Sequence, residues 1–340
     1  MRPEEHYEHL LSLSQLNGPL SAQSPFVTVM REDLFRRLGP DFKPTSKREA
    51  LHEVILRRFL AVQEVLRYDH RAVVMAGPPG AGKSSTMIKA IGDMGRAANE
   101  YAVIDSDVFK REILSAMVED GSIRELMPPE LEAQTTLTGE VFLPFDFAAL
   151  VHIESTILAD RALKQALRQG ANVIIDGTLS DLNQGRERLN LLAANGYKSR
   201  LIVDVEASRT VVEKRVHDRW LYDYEHSISS ESTSVGLGGR LVPAGAFDWI
   251  FGNDGVSRSL KTARALGNEF RDSVRLVVYL SSEDGRPELE YDSAAGGAII
   301  HDATSQNPYA VCTVCHRRLY SPESMALGMG RYCASRVSSV

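Results

Sequence analysis

The sequence predicts an α/β protein in which a parallel β-sheet is flanked by helices. Continuous apolar runs alternate with segments of helical periodicity, such as 155–169 and 208–220. Runs that are apolar throughout, rather than at every second residue, are typical of strands buried on both faces of a parallel sheet. Five such runs are found, at 72–76, 101–104, 172–175, 201–205 and 274–280.

Changes in pattern along the chain predict three regions. Residues 1–70 form a mainly helical extension, in which the apolar spacing from Ser46 to Leu66 predicts one long helix. Residues 71–295 hold the alternating apolar and helical segments. Residues 296–340 form a linker and a small module that carries all three cysteines.

Charge and composition restrict the classes of function. The 340 residues carry a formal net charge of −6, with 43% hydrophobic and 25% charged residues. A surface that mainly binds nucleic acid is normally basic, so this balance argues against that class. Met1–Leu11 lacks the apolar core of a signal peptide, and no apolar run approaches the roughly 20 residues that span a bilayer. We therefore expect a cytoplasmic protein without membrane contact.

A phosphate-binding loop follows the first apolar run. Residues 77–84 fit the pattern G-x-x-x-x-G-K-[ST] and precede a predicted helix. Glycines let backbone N–H groups approach phosphates, the lysine reaches the β- and γ-phosphates, and the hydroxyl after it binds Mg²⁺. The predicted P-loop site for ATP and Mg²⁺ comprises Gly77, Pro78, Pro79, Gly80, Ala81, Gly82, Lys83, Ser84 and Ser85.

Carboxylates follow the second and third of the apolar runs. Asp105 and Asp107 come after the second run, and Asp176 comes after the third. Parallel strands end at one edge of a sheet, so we expect these acids near the phosphate loop. They could hold Mg²⁺ or orient an attacking hydroxyl, as phosphoryl transfer requires. The alternative for the first pair is that one carboxylate caps a helix predicted from Val108 to Met117.

Six motifs, in this order, resemble the zeta-toxin family of P-loop kinases. They are GPPGAGKSS at 77–85, VIDSDVFKR at 103–111, VHIES at 151–155, VIIDGT at 173–178, KRV at 214–216 and GRLVP at 239–243. The resemblance covers about residues 72–292. It implies a kinase that transfers the γ-phosphate of ATP to a hydroxyl of a UDP-activated amino sugar, chiefly UDP-N-acetylglucosamine, and can thereby block cell-wall synthesis. It also implies a small antitoxin protein as a partner.

The same resemblance assigns roles to single residues. Asp107 looks like the base that acts on the sugar hydroxyl beside Lys83, and Asp176 sits where the family carries an acid near the metal. Arg215 and Arg240 look like the two arginines that clamp the transferring phosphate, a task that suits the guanidinium fork. Arg240 also follows a Ser- and Gly-rich stretch, as a residue of a closing lid would. A solvated helix surface is the alternative for both arginines.

Three further residues are expected to bind the substrate. Asp160 falls, by ungapped spacing, where toxin members carry a substrate-binding acid, and Thr178 belongs to the third-strand motif. Glu154, with His152, lies at the entrance to a predicted helix and could line a substrate pocket. Capping or packing is the alternative for Glu154 and His152. An exposed ion pair with Lys164 is the alternative for Asp160.

The sequence also departs from the toxin pattern. Residues 1–70 and the cysteine tail are additional, and a sugar-binding stretch is recognisable only through its acids. The helix Ser46–Leu66 could act in cis as a brake in place of a separate antitoxin. An ordinary packing helix is the alternative.

The cysteine tail predicts a small zinc module. Cys312 and Cys315 form a CxxC pair, and Cys333 adds a third thiol in a stretch that resembles zinc-ribbon-like modules. Structural zinc takes four N or S ligands, so His316 is a candidate for the fourth, and His301, an acid or water could complete the site instead. A metal-free tail is the alternative. The module is also basic, which leaves binding of nucleic acid or of a partner protein open.

These observations support three hypotheses. The first is a kinase that phosphorylates a nucleotide-sugar-like hydroxyl. The second is a polynucleotide or dinucleotide kinase on the same scaffold, with the basic tail as its recognition module. The third is a nucleotide-gated interaction protein whose tail binds a partner.

Overall fold

The computed structural model describes residues 2–61, 65–229, 236–282 and 285–294, all within a unit that ends at Ala294. The cysteine tail lies outside these ranges. The described helices, numbered in chain order, are α1 (Pro3–Leu13), α2 (Ser46–Ala61), α3 (Lys83–Asp93), α4 (Ser106–Glu119), α5 (Pro129–Thr138), α6 (His152–Gln169), α7 (Leu182–Ala194), α8 (Arg209–Ile228), α9 (Ala246–Phe251) and α10 (Arg258–Glu269). In this part of the chain, no helix combines the length and the apolar character that crossing a membrane requires.

The strands form a hairpin and a larger sheet. They are β1 (Phe35–Leu38), β2 (Asp41–Pro44), β3 (Arg71–Ala76), β4 (Ala102–Ile104), β5 (Val173–Ile175), β6 (Ser199–Glu206), β7 (Val274–Ser281) and β8 (Pro287–Asp292). The larger sheet has the order β4-β5-β3-β6-β7-β8, and only its last pair is antiparallel. The predicted α/β class and the predicted parallel strands are therefore confirmed.

Helices cover the sheet, which explains why its central strands are apolar throughout. Every residue of β5 is buried, and five of the six residues of β3 are buried. The helix α3 packs against β3 and β6, α6 packs against β4 and β5, and α10 packs against β6 and β7. The crossover connections between parallel strands place helices on the faces of the sheet, so the strands are buried on both faces.

The helix predicted from Ser46 begins there, but α2 ends at Ala61, and residues 62–64 lie outside the described ranges. It packs against α4 and α6. The helices predicted at 155–169 and 208–220 are both present and are longer than expected, as α6 and α8. The domain boundary at residue 70 stays a prediction.

A buried ion cluster joins α2 to α6. The carboxylate of Glu154 accepts hydrogen bonds from Arg48 Nε at 2.6 Å and Arg48 Nη2 at 2.9 Å, and contacts His52 Nε2 at 2.7 Å. Burial alone would raise the pKa of Glu154, but the bonds from His52 and Arg48 outweigh it and lower the pKa to about 2. The side chain has 0% exposure. Glu154 therefore holds two helices together, which favours the packing alternative over a place in a substrate pocket.

A second buried cluster attaches α1 to the rest of the unit. His6 Nδ1 lies 2.6 Å from Glu140 Oε1, and His6 Nε2 lies 3.2 Å from Asp146 Oδ2. The ring of Tyr7 packs on Trp220 of α8 with 4.8 Å between centroids. The amino-terminal helix is thus tied to α8 and to the segment before α6.

Replacing Glu154 tests the first cluster. We expect Glu154→Gln to lower the free energy of unfolding by about 3–5 kcal/mol near pH 7, because Arg48 is left buried without its counter-charge. The pKa of Glu154 falls from 4.5 to about 2 on folding, so this stabilisation is present above pH 4.5 and is lost as the pH falls toward 2. Urea unfolding at pH 7 and at pH 3 measures both effects.

The matched control is Glu49→Gln, which removes a partly exposed partner of Arg161 between the same two helices. An exposed pair contributes less than about 1 kcal/mol, so its loss should be small at both pH values. Equal destabilisation by the two variants would contradict the structural role of Glu154.

Candidate active site

The phosphate loop joins β3 to α3 in a conformation that requires glycine. The φ angles are +126° at Gly77, +80° at Gly80 and +94° at Gly82, a region that L side chains rarely adopt. A Cβ atom on Gly77 would lie 2.2 Å from the carbonyl oxygen of Val205 on the neighbouring strand. The turn therefore lets the chain pass close to β6 and enter α3, whose first N–H groups face the loop.

Lys83 is the first residue of α3 and folds back over the loop. Its Nζ donates to the carbonyl oxygens of Gly77 at 2.9 Å and Pro78 at 3.0 Å. Burial lowers the pKa of the ammonium, and the negative charge of Asp176 opposes that effect. The predicted lysine is thus placed inside the loop and within electrostatic range of the strand-end acids.

Asp176 follows β5 and is suited to hold a metal ion. Its backbone N–H donates to the carbonyl oxygen of Ile104 at 2.9 Å, which fixes it beside the end of β4. Its Oδ1 atom is buried and has no hydrogen-bond partner in the described part of the chain. Burial raises the pKa of Asp176, against the influence of Lys83. A free carboxylate oxygen beside the loop, with the exposed hydroxyl-bearing Ser84, is the oxygen-rich donor set that Mg²⁺ takes.

Asp105 and Asp107 have different surroundings although they are two residues apart. Asp105 Oδ1 accepts from the backbone N–H of Asp107 at 2.8 Å and caps α4. Burial, followed by the nearby charge of Asp107, raises the pKa of Asp105 to about 6. The capping alternative for this pair therefore holds for Asp105, while Asp107 lies in the first turn of α4.

Asp107 is held between two cations. Lys110 Nζ donates to its Oδ1 at 2.9 Å, and Arg240 Nη1 donates to its Oδ2. Burial would raise the pKa of Asp107, but Lys110 and Arg240 outweigh it and lower the pKa. Lys110 was missed by the sequence analysis, although its position one turn after Asp107 on a predicted helix is a usable signal.

The two predicted arginines have different partners. Arg215 of α8 donates to the carbonyl oxygens of Gly80 at 3.3 Å and Ser282 at 2.5 Å, and to Ser281 Oγ at 3.0 Å. It therefore joins α8 to the phosphate loop and to the end of β7. Arg240, in contrast, reaches across the site to Asp107.

Arg240 lies on residues 236–245, which we call the arginine strap. The carbonyl oxygen of Leu237 accepts from the backbone N–H of Phe145 at 2.7 Å. The backbone N–H of Ala244 donates to Ser14 Oγ at 3.2 Å, just after α1. Part of the predicted lid, residues 230–235, lies outside the described ranges. The strap is thus held by the amino-terminal extension and by the segment before α6, which no local sequence pattern indicates.

The remaining predicted substrate residues, Thr178 and Asp160, have different neighbours. The carbonyl oxygen of Thr178 accepts from the backbone N–H of Gly77 at 3.2 Å, and its half-buried side chain lies at the sheet edge. Leu179, which follows, has a φ angle of +50°, an unusual value for leucine that marks a strained turn beside the site. Asp160 lies in a cleft between α6 and α7, together with Arg188. The described residues show no ion pair between Asp160 and Lys164.

The predicted zinc ligands Cys312, Cys315 and Cys333 lie outside the described residues. Within the described ranges, the histidines, cysteines and acids form no group of three or more that could hold a metal ion. The zinc module therefore stays a prediction.

Comparisons with known proteins agree with the loop and the sheet. Residues 73–233 match a family model described as an AAA domain, and residues 302–338 match a family of unknown function, DUF6011. No curated protein matches the chain. The first match spans the phosphate loop, Asp107, Asp176 and Arg215 and ends before Arg240. The chain thus contains a P-loop α/β domain.

Two solved structures match parts of this chain. One is from the PezAT chromosomal toxin–antitoxin system of the human pathogen Streptococcus pneumoniae, with 16% identity, a TM-score of 0.46, and coverage of 74% of this chain and 83% of that chain. The other is AvrRxo1-ORF1:AvrRxo1-ORF2 with ATP, with 18% identity, a TM-score of 0.49, and coverage of 73% and 68%.

A single methyl group tests the geometry of the loop. We expect Gly77→Ala to abolish ATP binding and to lower the melting temperature, because the added Cβ meets the backbone of Val205. Gly92→Ala is the matched control. Gly92 lies in α3 with open space around its Cβ position, so alanine there should stabilise the protein by about 0.5–1 kcal/mol. Calorimetric ATP titration measures the ATP affinity of both variants, and thermal unfolding measures their melting temperatures. Normal ATP affinity in Gly77→Ala would refute the loop geometry.

Proposed function

We propose that the chain is a kinase that transfers the γ-phosphate of ATP to a hydroxyl group of a UDP-activated amino sugar. The observation that carries this proposal is the gathering of Lys83, Asp107 and Asp176 at one edge of a parallel sheet. The charges of Asp176 and Asp107 both oppose the lowering of the pKa of the Lys83 ammonium by burial, so the three groups lie within electrostatic range of one another. The acceptor class rests on the six motifs that resemble zeta toxins.

The phosphate loop and α3 supply the nucleotide site in this proposal. Backbone N–H groups of the loop bind the phosphates, and the Nζ of Lys83 turns from the loop carbonyls to the β- and γ-phosphates. Ser84 and the unpaired Oδ1 of Asp176 would hold Mg²⁺, which would supply positive charge for the phosphate oxygens.

Asp107 is the proposed base for the acceptor hydroxyl. Its ion pair with Arg240 means that one oxygen must be released before it accepts a proton. The γ-phosphate carries more negative charge than a carboxylate and competes for the same guanidinium. When Arg240 moves from Asp107 to the phosphate, it therefore binds the γ-phosphate of ATP and leaves the carboxylate of Asp107 available to accept a proton.

Arg215 is the second arginine of the proposed clamp. It contacts Gly80 of the phosphate loop, and its three acceptors fix its position. Asp160 and Thr178 are proposed substrate contacts on the strength of the resemblance. The antitoxin partner and the zinc ion stay predictions. The buried pair between Arg48 and Glu154 favours packing over a cis brake as the role of α2.

Metabolite profiling after expression tests the function directly. We expect a phosphorylated UDP-amino sugar that accumulates with the unaltered chain and is absent with Lys83→Ala, because that lysine binds the donor phosphates. Labelled nucleic-acid ends would instead support a polynucleotide kinase. ATP binding without any product would support a nucleotide-gated interaction protein.

Substitutions of Asp107 and Asp105 distinguish the proposed catalytic base from the residue that caps α4. We expect Asp107→Asn to lower kcat by about 10²–10⁴-fold with little change in ATP affinity, because an amide cannot accept the hydroxyl proton. Asp105→Asn is the control, since asparagine also caps helices well and should change kcat only slightly. Steady-state transfer with UDP-N-acetylglucosamine as the acceptor measures both. Full activity in Asp107→Asn would remove Asp107 from the mechanism.

A further inference from the structure

His6 of α1 is a buried histidine whose two ring nitrogens both face carboxylates. Its Nδ1 lies 2.6 Å from Glu140 Oε1, and its Nε2 lies 3.2 Å from Asp146 Oδ2. Burial raises the pKa of Asp146, yet the same oxygen accepts the backbone N–H of Leu143 at 2.7 Å, so the shared proton belongs to His6. A neutral imidazole carries a proton on only one ring nitrogen, whereas an imidazolium donates from both. The two contacts therefore fit the imidazolium form of His6.

The surroundings of His6 favour this charged form. Burial alone would lower the pKa of His6, but the hydrogen bonds and charges of Asp146 and Glu140 outweigh it and raise the pKa. On the same helix, the His9 ring shares Glu140 through its Nδ1 at 2.9 Å. From α8, the ring of Tyr224 lies 5.1 Å from His6 between centroids, and burial raises its pKa above 10, so its hydroxyl stays neutral at lower pH. The contribution of His6 to stability is therefore complete below pH 6.5 and is lost as the pH rises through its raised pKa.

The contacts of His6 fasten the two elements that hold the arginine strap. Ser14 directly follows α1, and its Oγ accepts from the backbone N–H of Ala244 at 3.2 Å. Phe145 lies in the segment before α6, and its backbone N–H donates to the carbonyl oxygen of Leu237 at 2.7 Å. The strap is thus attached near both ends, once to the segment that carries the partners of His6 and once to the end of the helix that carries His6 itself.

Arg240 lies between these two attachments and reaches Asp107 across the site. Gly239, directly before it, packs against α8, because a Cβ at that position would lie 2.7 Å from Cδ1 of Trp220. The same indole ring packs on Tyr7 of α1, with 4.8 Å between centroids. The helix α1 therefore supports the strap at two points, one direct and one through a shared neighbour.

We propose that His6, as an imidazolium, is a positioning residue that holds the arginine strap and so directs Arg240. This inference rests on the proposed kinase function for the role of Arg240 in binding phosphate. When His6 releases a proton to solvent, a nitrogen lone pair faces a carboxylate oxygen, and attraction is replaced by repulsion. The contact between α1 and the segment before α6 then opens, and the spacing of the two strap attachments is no longer fixed. Arg240 therefore spends less time in position for the γ-phosphate.

Hydrogen exchange of the strap tests this role without knowledge of the acceptor. Protection of the amides at 236–245 is measured at pH 6 and at pH 9, after correction for the intrinsic exchange rate at each pH. We expect the unaltered chain to lose about 10–100-fold of this protection at pH 9, the range expected for the loss of a hydrogen bond to a charged group. His6→Gln, whose amide carries no charge at either pH, should show the low protection at both.

His70→Asn is the matched control, because it removes an exposed histidine that lies beside Gly170 and Tyr197. Asparagine tolerates the φ angle of +53° found at this position. The variant should keep the pH dependence of the unaltered chain. Peptides from β3 and β5 serve as the internal reference and should stay protected at both pH values.

Equal protection of the strap at pH 6 and pH 9 in the unaltered chain would overturn the inference. An unchanged pH dependence in His6→Gln would also overturn it, since another group such as His9 would then be the one that titrates. A parallel loss of protection in β3 and β5 would do the same, because that pattern indicates global unfolding. Hydrogen exchange needs no phosphoryl transfer, so an absence of product in the transfer assay would refute the kinase function and leave the holding of the strap by His6 intact.

Discussion

The parallel pairing of β3 with β5 and β6 is the constraint on which the site depends. Val74 lies opposite Ile175, and Ala76 lies opposite Asp204, so the three strands reach the same edge in register. A slip of one residue would turn each side chain to the opposite face of the sheet. Such a slip is costly because both faces are buried. The rigid layer of apolar strands thus fixes where the loop and the acids meet, although it takes no part in the chemistry.

Competition between charges links the parts of the site. Asp107 is shared by Lys110 and Arg240, while the nearby Arg219 has a buried Nε atom without a hydrogen-bond partner among the described residues. Positive groups gathered in a partly buried space repel one another strongly because the effective dielectric constant is low. A magnesium-bound polyphosphate carries several negative charges and can satisfy them together. In the proposed reaction, binding energy from the phosphates would then be available to rearrange the ion pairs before transfer.

Sequence patterns predicted the elements of this fold better than the contacts between them. Apolar runs and the glycine-rich motif identified the central strands and the phosphate loop, because both depend on local residue order. The capping role of Asp105 was one of two stated alternatives, since a short side chain before a helix can only be weighed against its neighbours. The pair between Arg48 and Glu154 joins residues 106 positions apart, and no local pattern encodes it. The anchoring of the arginine strap by Ser14 is of the same kind.

The hydrogen bond between Ser14 and Ala244 has a consequence for the extension as a whole. The helix α1 is attached to α8 through Tyr7 and to the segment before α6 through His6. The strap that carries Arg240 is therefore held in place partly by the amino-terminal extension, at a contact outside the phosphate loop. The position of Arg240 depends on the packing of residues more than 200 positions earlier in the chain.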